Sequence, residues 1–424
     1  MNDLIDQFQE ALRADDVARV RKLLEDYTLL RAKIDEPLGP FDSPAITNAR
    51  SKEMLDVLRA AGANLDAKSR WWAGGFGLLH VASPELAAHA IECGAFVDVH
   101  AAARLGLLDC VRELVESDPE LVHARGGDGQ MPLHFAATIE IAEYLLHHGA
   151  DIDARDLDHE STPAQYMLDD RLDIARYLVT RGCWTDLLMA AALGDLDLAG
   201  RHLDANSECI RLRVSEPFFP MVNPKAGGTI YQWKLGWYVS PHQVARKFGH
   251  EEVLRLLQER SPTDVKLLEA CWMGDEALAL AIRREHPDIV ELLSEADRRH
   301  VAYAARKNET DVTKLMLVCG WPVDAQGQHQ GTPLHWAAFH GNHEMAEAIL
   351  SFAPPLELAD ADFHSTPLGW AVYGSEHGWH RNSSNYAATV EALLGAGAKV
   401  PDHAEGAEAV REVLRRHGAS DQTA

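Results

Sequence analysis

Short runs of small apolar residues alternate with runs whose apolar positions recur every three or four residues, and this alternation repeats along nearly the whole chain. The clearest copy is GTPLHWAAFHGNHEMAEAIL, residues 331–350. Thr332 is placed to cap a first helix through its hydroxyl, and Pro333 stands at the first helical position, where a missing N–H costs nothing. Ala337 and Ala338 keep that helix thin, and Gly341 ends it. Met345, Ala348, Ile349 and Leu350 give a second helix one apolar stripe. One such pair cannot bury both faces alone, so neighbouring pairs must stack.

The unit recurs. TPLGWAVYG from Thr366 follows the copy at Thr332 by 34 residues, and MPLHFAATIEIAEYLLHHGADIDARD from Met131 and STPAQYMLDDRLDIARYLVTRG from Ser161 echo it. Looser copies, such as HAAARLGLLDCVRELVESDP and LLEACWMGDEALALAIRREHP, lack the TPLH start but keep a small-residue first helix and an apolar second one. These units resemble ankyrin repeats over nearly the whole chain, most specifically in GTPLHWAAFHG, DGQMPLHFAA and the closing phrases HHGADIDARD and AAGANLDAKS. The resemblance implies an all-α solenoid of about twelve helix-turn-helix units joined by short β-hairpin fingers. The expected organisation is an N-terminal array over 1–213, an insertion over 214–240, a C-terminal array over 241–400 and a capping helix and tail over 401–424. The short, degenerate, His-, Trp- and Arg-rich repeats look more bacterial than metazoan.

Two stretches break the period, and such breaks are where function is grafted onto a repeat scaffold. VSEPFFPMVNPKAGGTIYQWKLGWYVS, residues 214–240, reads as irregular loop in its Pro-rich half and then as an elongated β-hairpin turning at Leu235 and Gly236. The second break follows Tyr373, as a loop insertion over 374–386 between the two helices of the last full unit.

Charge narrows the partners. Asp plus Glu number 65 against 40 Lys plus Arg, a formal charge of −25, and no basic run stands against that field. Nucleic acid and anionic membranes are therefore not expected partners. No run of 18 apolar residues is present, and the N-terminal stretch carries acids from position 3, so a cytoplasmic protein is expected. The six cysteines are scattered without paired spacing and read as reduced thiols.

The histidines invite a metal reading that spacing rejects. His343 and Glu344 are followed by Met, Ala and Glu rather than completing HExxH, and Gly341 breaks the helix between His340 and His343. His335, His134 and His80 share the histidine slot of TPLH, to which the resemblance gives a structural hydrogen-bonding role. Signatures for a nucleophile elbow, a phosphate loop or a dinucleotide fold are absent. No catalytic residue, metal site or cofactor is assigned.

In ankyrin arrays the last residues of each first helix line a concave, ligand-facing groove. Carried onto this chain, that rule selects Arg104, Lys247, Trp272, Arg306, Phe339, His340 and Tyr373, a basic and aromatic strip on an acidic protein. The insertions add Trp233, Trp237, Tyr238, His377, Trp379, His380 and Arg381. The expected function is recognition of a protein or peptide by a monomer, an acidic or mixed acidic and apolar segment suiting the strip. The alternative is an enzyme or small-molecule binder whose aromatic, His-lined pocket lies under the two insertions.

Overall fold

The computed structural model describes residues 2–421. It is all-α: twelve pairs of helices or helical turns follow one another among the described residues, from Asn2–Arg13 with Val17–Asp26 to Pro367–His377 with Tyr386–Gly395. A last helix, Glu408–Arg416, packs Val410, Val413 and Leu414 against the helix before it. The chain divides into two compact units, residues 1–256 and 257–424.

Within the second unit, successive first helices His300–Arg306, Pro333–His340 and Pro367–His377 pack side by side. The second helices Thr310–Val318, His343–Leu350 and Tyr386–Gly395 form the neighbouring layer. Alanines at 304, 305, 337, 338 and 371 are buried between them, which is why the first helices approach closely. In the first unit, helices Leu187–Leu193 and Pro241–Lys247 pack together although 47 residues separate the end of one from the start of the other, counted as 240 minus 193. The 214–240 insertion therefore leaves the stack instead of interrupting it.

Local chemistry fixes each pair. The Thr332 N–H donates to His335 Nδ1 at 3.1 Å, so the opposite ring nitrogen carries the proton and donates to the Ser365 carbonyl of the next unit at 3.1 Å. His134 repeats this between the Met131 N–H and the Ser161 carbonyl. His80 binds the Gly77 N–H and reaches the Asp98 carboxylate at 2.9 Å. Gly341 closes its helix at φ 60°, a left-handed conformation that a Cβ disfavours, and Asn342 caps the following helix by accepting the Met345 N–H at 2.9 Å.

Two expectations about β-structure are corrected. Where hairpin fingers were expected, the described residues hold only isolated bridges, such as Lys68 with Gly77. Asp side chains supply the links a ladder would have made: Asp66 accepts the Phe96 N–H and Asp153 the Trp184 N–H, each at 2.7 Å and about one repeat further on. The expected hairpin around Leu235 and Gly236 is instead a helical turn, Tyr231–Lys234. Adjacent residues of a strand face opposite ways, yet Ile230 and Tyr231 are both buried. A helical turn reconciles this, placing Tyr231 and Leu235 one above the other in the core while Trp233 faces out.

Candidate functional site

In the second unit the loop after the last first helix folds back over its predecessor. Helix Pro367–His377 runs a full turn beyond Tyr373, further than a break at 374 suggested. Gly374 permits it: a Cβ there would stand 2.4 Å from the Phe339 carbonyl oxygen. The chain then reverses, and Trp379 settles with its ring centre 5.2 Å from Phe339, 5.5 Å from His340 and 6.0 Å from Trp336. The Arg306 guanidinium lies between two of these rings, 5.4 Å from Trp336 and 5.6 Å from Trp379. Trp379 is nevertheless 59% exposed, so the cluster has a solvent-facing aromatic lid.

The members of the expected strip have different fates. Trp336 and Trp370 are core residues with rings 4.9 Å apart, and Phe339 is half-buried beside them. His340 is wholly buried, which removes it from the open surface expected of it. Its Nε2–H donates to the Arg306 carbonyl at 2.8 Å, and burial, partly offset by that bond, pushes its pKa down to about 4. Trp272 is half-buried, donates from its indole to His300 Nδ1 at 3.1 Å and carries the Lys307 ammonium 5.2 Å above its ring.

Tyr373 is 59% exposed and forms a separate pair with His377, ring centres 4.6 Å apart. His380 packs 5.2 Å from His340 instead, so the two loop histidines serve different neighbours. Arg381 is exposed. Beside Tyr373 opens a cleft of about 500 Å³ lined in part by Thr366, Val372, Glu376, Lys399 and His403.

In the first unit the basic residues of the strip are occupied by backbone. Arg104 donates to the Leu79 and Ala82 carbonyls at 3.3 and 2.8 Å, and Lys247 to those of Lys234 and Leu235 at 3.3 and 3.0 Å. Each thus satisfies carbonyls at the end of a short helix, rather than presenting a bare charge. The insertion closes at its base, where the Val214 N–H donates to the Val239 carbonyl and the Tyr238 N–H to that of Val214. Trp237 and Tyr238 pair edge to face at 5.1 Å. Trp233, 58% exposed, covers the His159 ring at 4.6 Å.

Lys307, which follows Arg306 in the register of the strip, joins the second unit's site over the Trp272 ring. Residues the sequence did not single out, Tyr231, Asp158 and His159, anchor the insertion in the first unit. The phrase DLDHE at 156–160 was the available signal, because it sets a histidine and an extra acid where neighbouring fingers simply turn.

The Ankyrin repeats (3 copies) family model matches residues 99–188 and 300–403. Ankyrin repeat and SAM domain-containing protein 6 of Mus musculus is 29% identical over 154 residues, 35% of this chain and 17% of that protein. Its Rattus norvegicus counterpart is 28% identical over 135 residues, 31% of this chain and 15% of that protein. Serine/threonine-protein kinase VIK of Arabidopsis thaliana is 49% identical over 49 residues, 11% of each. The aligned stretches span less than a fifth of these relatives. No helix among the described residues is long and apolar enough to cross a membrane. With the family model matching in both units and the TPLH histidines bridging successive helix pairs, the chain carries ankyrin repeats over residues 99–188 and 300–403.

Proposed function

We propose that the second unit holds a protein segment on the face where loop 378–385 meets the ends of the first helices. Ankyrin repeats are in general protein-interaction modules, and this face carries the unit's anchors. The observation that carries the reading is Trp379: it is fixed against three rings and Arg306, yet more than half its surface remains open. A rigid exposed indole loses little entropy on binding, which is what an interface hot spot requires. Tyr373 supplies a second exposed ring, and the cleft beside it has room for a partner side chain.

A segment mixing acidic and apolar residues suits this face, its apolar groups covering Trp379 and Tyr373 and its acids facing Lys307 and Arg381. Six free thiols suit a reducing cytoplasm, and the reading needs only a monomer. Peptides selected from a display library against the full chain test it. Binding of the selected peptides is expected to weaken at least about tenfold, or about 1.4 kcal/mol, with both Trp379→Ala and Tyr373→Ala in place. Both side chains are largely exposed, so the variant keeps its fold. Undiminished affinity removes this face from consideration.

A further inference from the structure

In the first unit three potential metal ligands converge where the 214–240 insertion docks on two successive finger loops. Asp128, Asp158 and His159 each offer one ligand atom, and these atoms lie within 4.8 Å of one another. Asp158 and His159 are buried, and Asp128 is largely so. The arrangement is built, because the Leu157 and Asp158 N–H groups donate to the Asp128 carbonyl at 2.8 and 3.2 Å and tie one loop to the other.

The histidine points to an occupant. Its Nδ1–H donates to the Gly228 carbonyl of the insertion at 2.8 Å, which leaves the lone pair on Nε2. That atom faces Asp158 Oδ2 at 3.8 Å and Asp128 Oδ2 at 3.9 Å. These gaps are too wide for hydrogen bonds, and an imidazole lone pair facing two carboxylates is unfavourable unless something positive stands between them. Ligand atoms about 2.1 Å from a tetrahedral cation are roughly 3.4 Å apart, so the two imidazole-to-carboxylate gaps need close by only a few tenths of an ångström to match such a site.

The surroundings resemble what holds metal ligands in place. Histidine ligands commonly donate their other nitrogen to a carbonyl, as His159 does, and ligating carboxylates are themselves hydrogen-bonded. Asp158 accepts the Trp71 indole N–H on Oδ2 at 3.3 Å and the Gly227 N–H on Oδ1 at 3.2 Å. Trp233 covers the imidazole from the outer side.

The geometry points to a divalent first-row metal site formed by Asp128, Asp158 and His159. One imidazole with two carboxylates suits Zn²⁺ or Mn²⁺ over Ca²⁺ or Mg²⁺. Three protein ligands leave a position open to water or to a partner's side chain. The metal would clamp the insertion to the fingers.

Isothermal titration of the chelator-stripped full chain with Zn²⁺ and with Mn²⁺ tests this. One saturable equivalent of one or both is expected, at pH 7.5, with a metal-dependent rise in melting temperature. Asp128→Asn, which keeps size and backbone contacts, is expected to weaken binding at least about tenfold and abolish that rise. His159→Gln should do the same, with circular dichroism in chelator confirming that each variant is folded. A second group, Asp56, His89 and Cys93, supplies the control, and Cys93→Ala should leave binding unchanged. The proposal is overturned if no equivalent binds, if Asp128→Asn binds as the parent does, if Cys93→Ala abolishes binding, or if Ca²⁺ or Mg²⁺ binds more tightly.

Discussion

His340 and Arg306 are joined by one buried hydrogen bond across successive repeats, the imidazole Nε2–H donating to the arginine's carbonyl at 2.8 Å. That carbonyl ends the helix His300–Arg306, where the last carbonyls have no partner within the helix. Other side chains do the same work along the chain. Arg171 reaches the His134 and Ala136 carbonyls, His250 that of Ala192, and Tyr386 that of Phe339. Several helix pairs are thus capped by a side chain of the pair that follows, which couples those neighbours by hydrogen bonds as well as by packing.

The buried imidazole makes the second unit sensitive to acid. His340 titrates near 4 in the folded chain against 6.5 for a free histidine, so between these values the unfolded state holds more protons. Stability from this group is complete above pH 6.5 and falls as pH drops toward 4, by about 3 kcal/mol in all. His340→Gln keeps an N–H donor and removes the titration. Chemical unfolding of both proteins at pH 7.5, 5.5 and 4.5 should show the parent losing this extra increment on acidification. Parallel losses in the two would mean that His340 does not carry it.

Close approach at Gly374 is the condition for the Trp379 lid. An added Cβ there would meet the Phe339 carbonyl oxygen at 2.4 Å and the Tyr386 ring at 3.0 Å, and backbone cannot yield as a flexible side chain would. Gly374→Ala is therefore expected to destabilise the chain by about 1–3 kcal/mol. At Gly395, the last residue of helix Tyr386–Gly395, a Cβ would meet nothing within 4 Å. Gly395→Ala is expected to be neutral or to stabilise by up to about 1 kcal/mol. Denaturant midpoints of the two variants check the contrast; equal effects would show that the contact at Gly374 yields easily.

How far the sequence reveals this molecule depends on the range of the interaction involved. Thr332, Pro333, Gly341 and the apolar stripe of Met345, Ile349 and Leu350 act within one helix pair, and the structure keeps each in its expected place. The TPLH histidines were legible because repetition at 80, 134 and 335 marks a shared role. His340 was not, because its partner is a main-chain carbonyl 34 residues away, and a carbonyl has no letter in the sequence. The turn at Tyr231–Lys234 was misread for a related reason: its alternation fits a strand, and only burial of both Ile230 and Tyr231 decides otherwise. Asp128 and His159 meet through loops of adjacent repeats and a glycine of the insertion, a convergence the stacking alone creates.

Tyr231 locks the first unit's insertion to the repeat beneath it, and the lock is charge-dependent. Its hydroxyl donates to Asp186 Oδ2 at 3.1 Å, while the other carboxylate oxygen caps helix Leu187–Leu193 by accepting the Met189 N–H at 2.7 Å. Burial pushes the Asp186 carboxyl up to about 6 in spite of both bonds. The folded state therefore holds more protons than the unfolded one between about 3.8 and 6, and stability from this group falls as pH rises through that window, opposite in sign to His340. Tyr231→Phe removes a donor to the ionised form, so the carboxyl should titrate higher still. The variant is expected to cost about 2 kcal/mol at pH 7.5, where a hydrogen bond to a charged acceptor is lost, and distinctly less at pH 4.5, where the acceptor is mostly neutral. Cleavage by protease within 214–240 should also speed up, because the insertion keeps its packing but loses its buried tether. A penalty of equal size at both pH values would show that the Tyr231 bond draws nothing from the charge on Asp186.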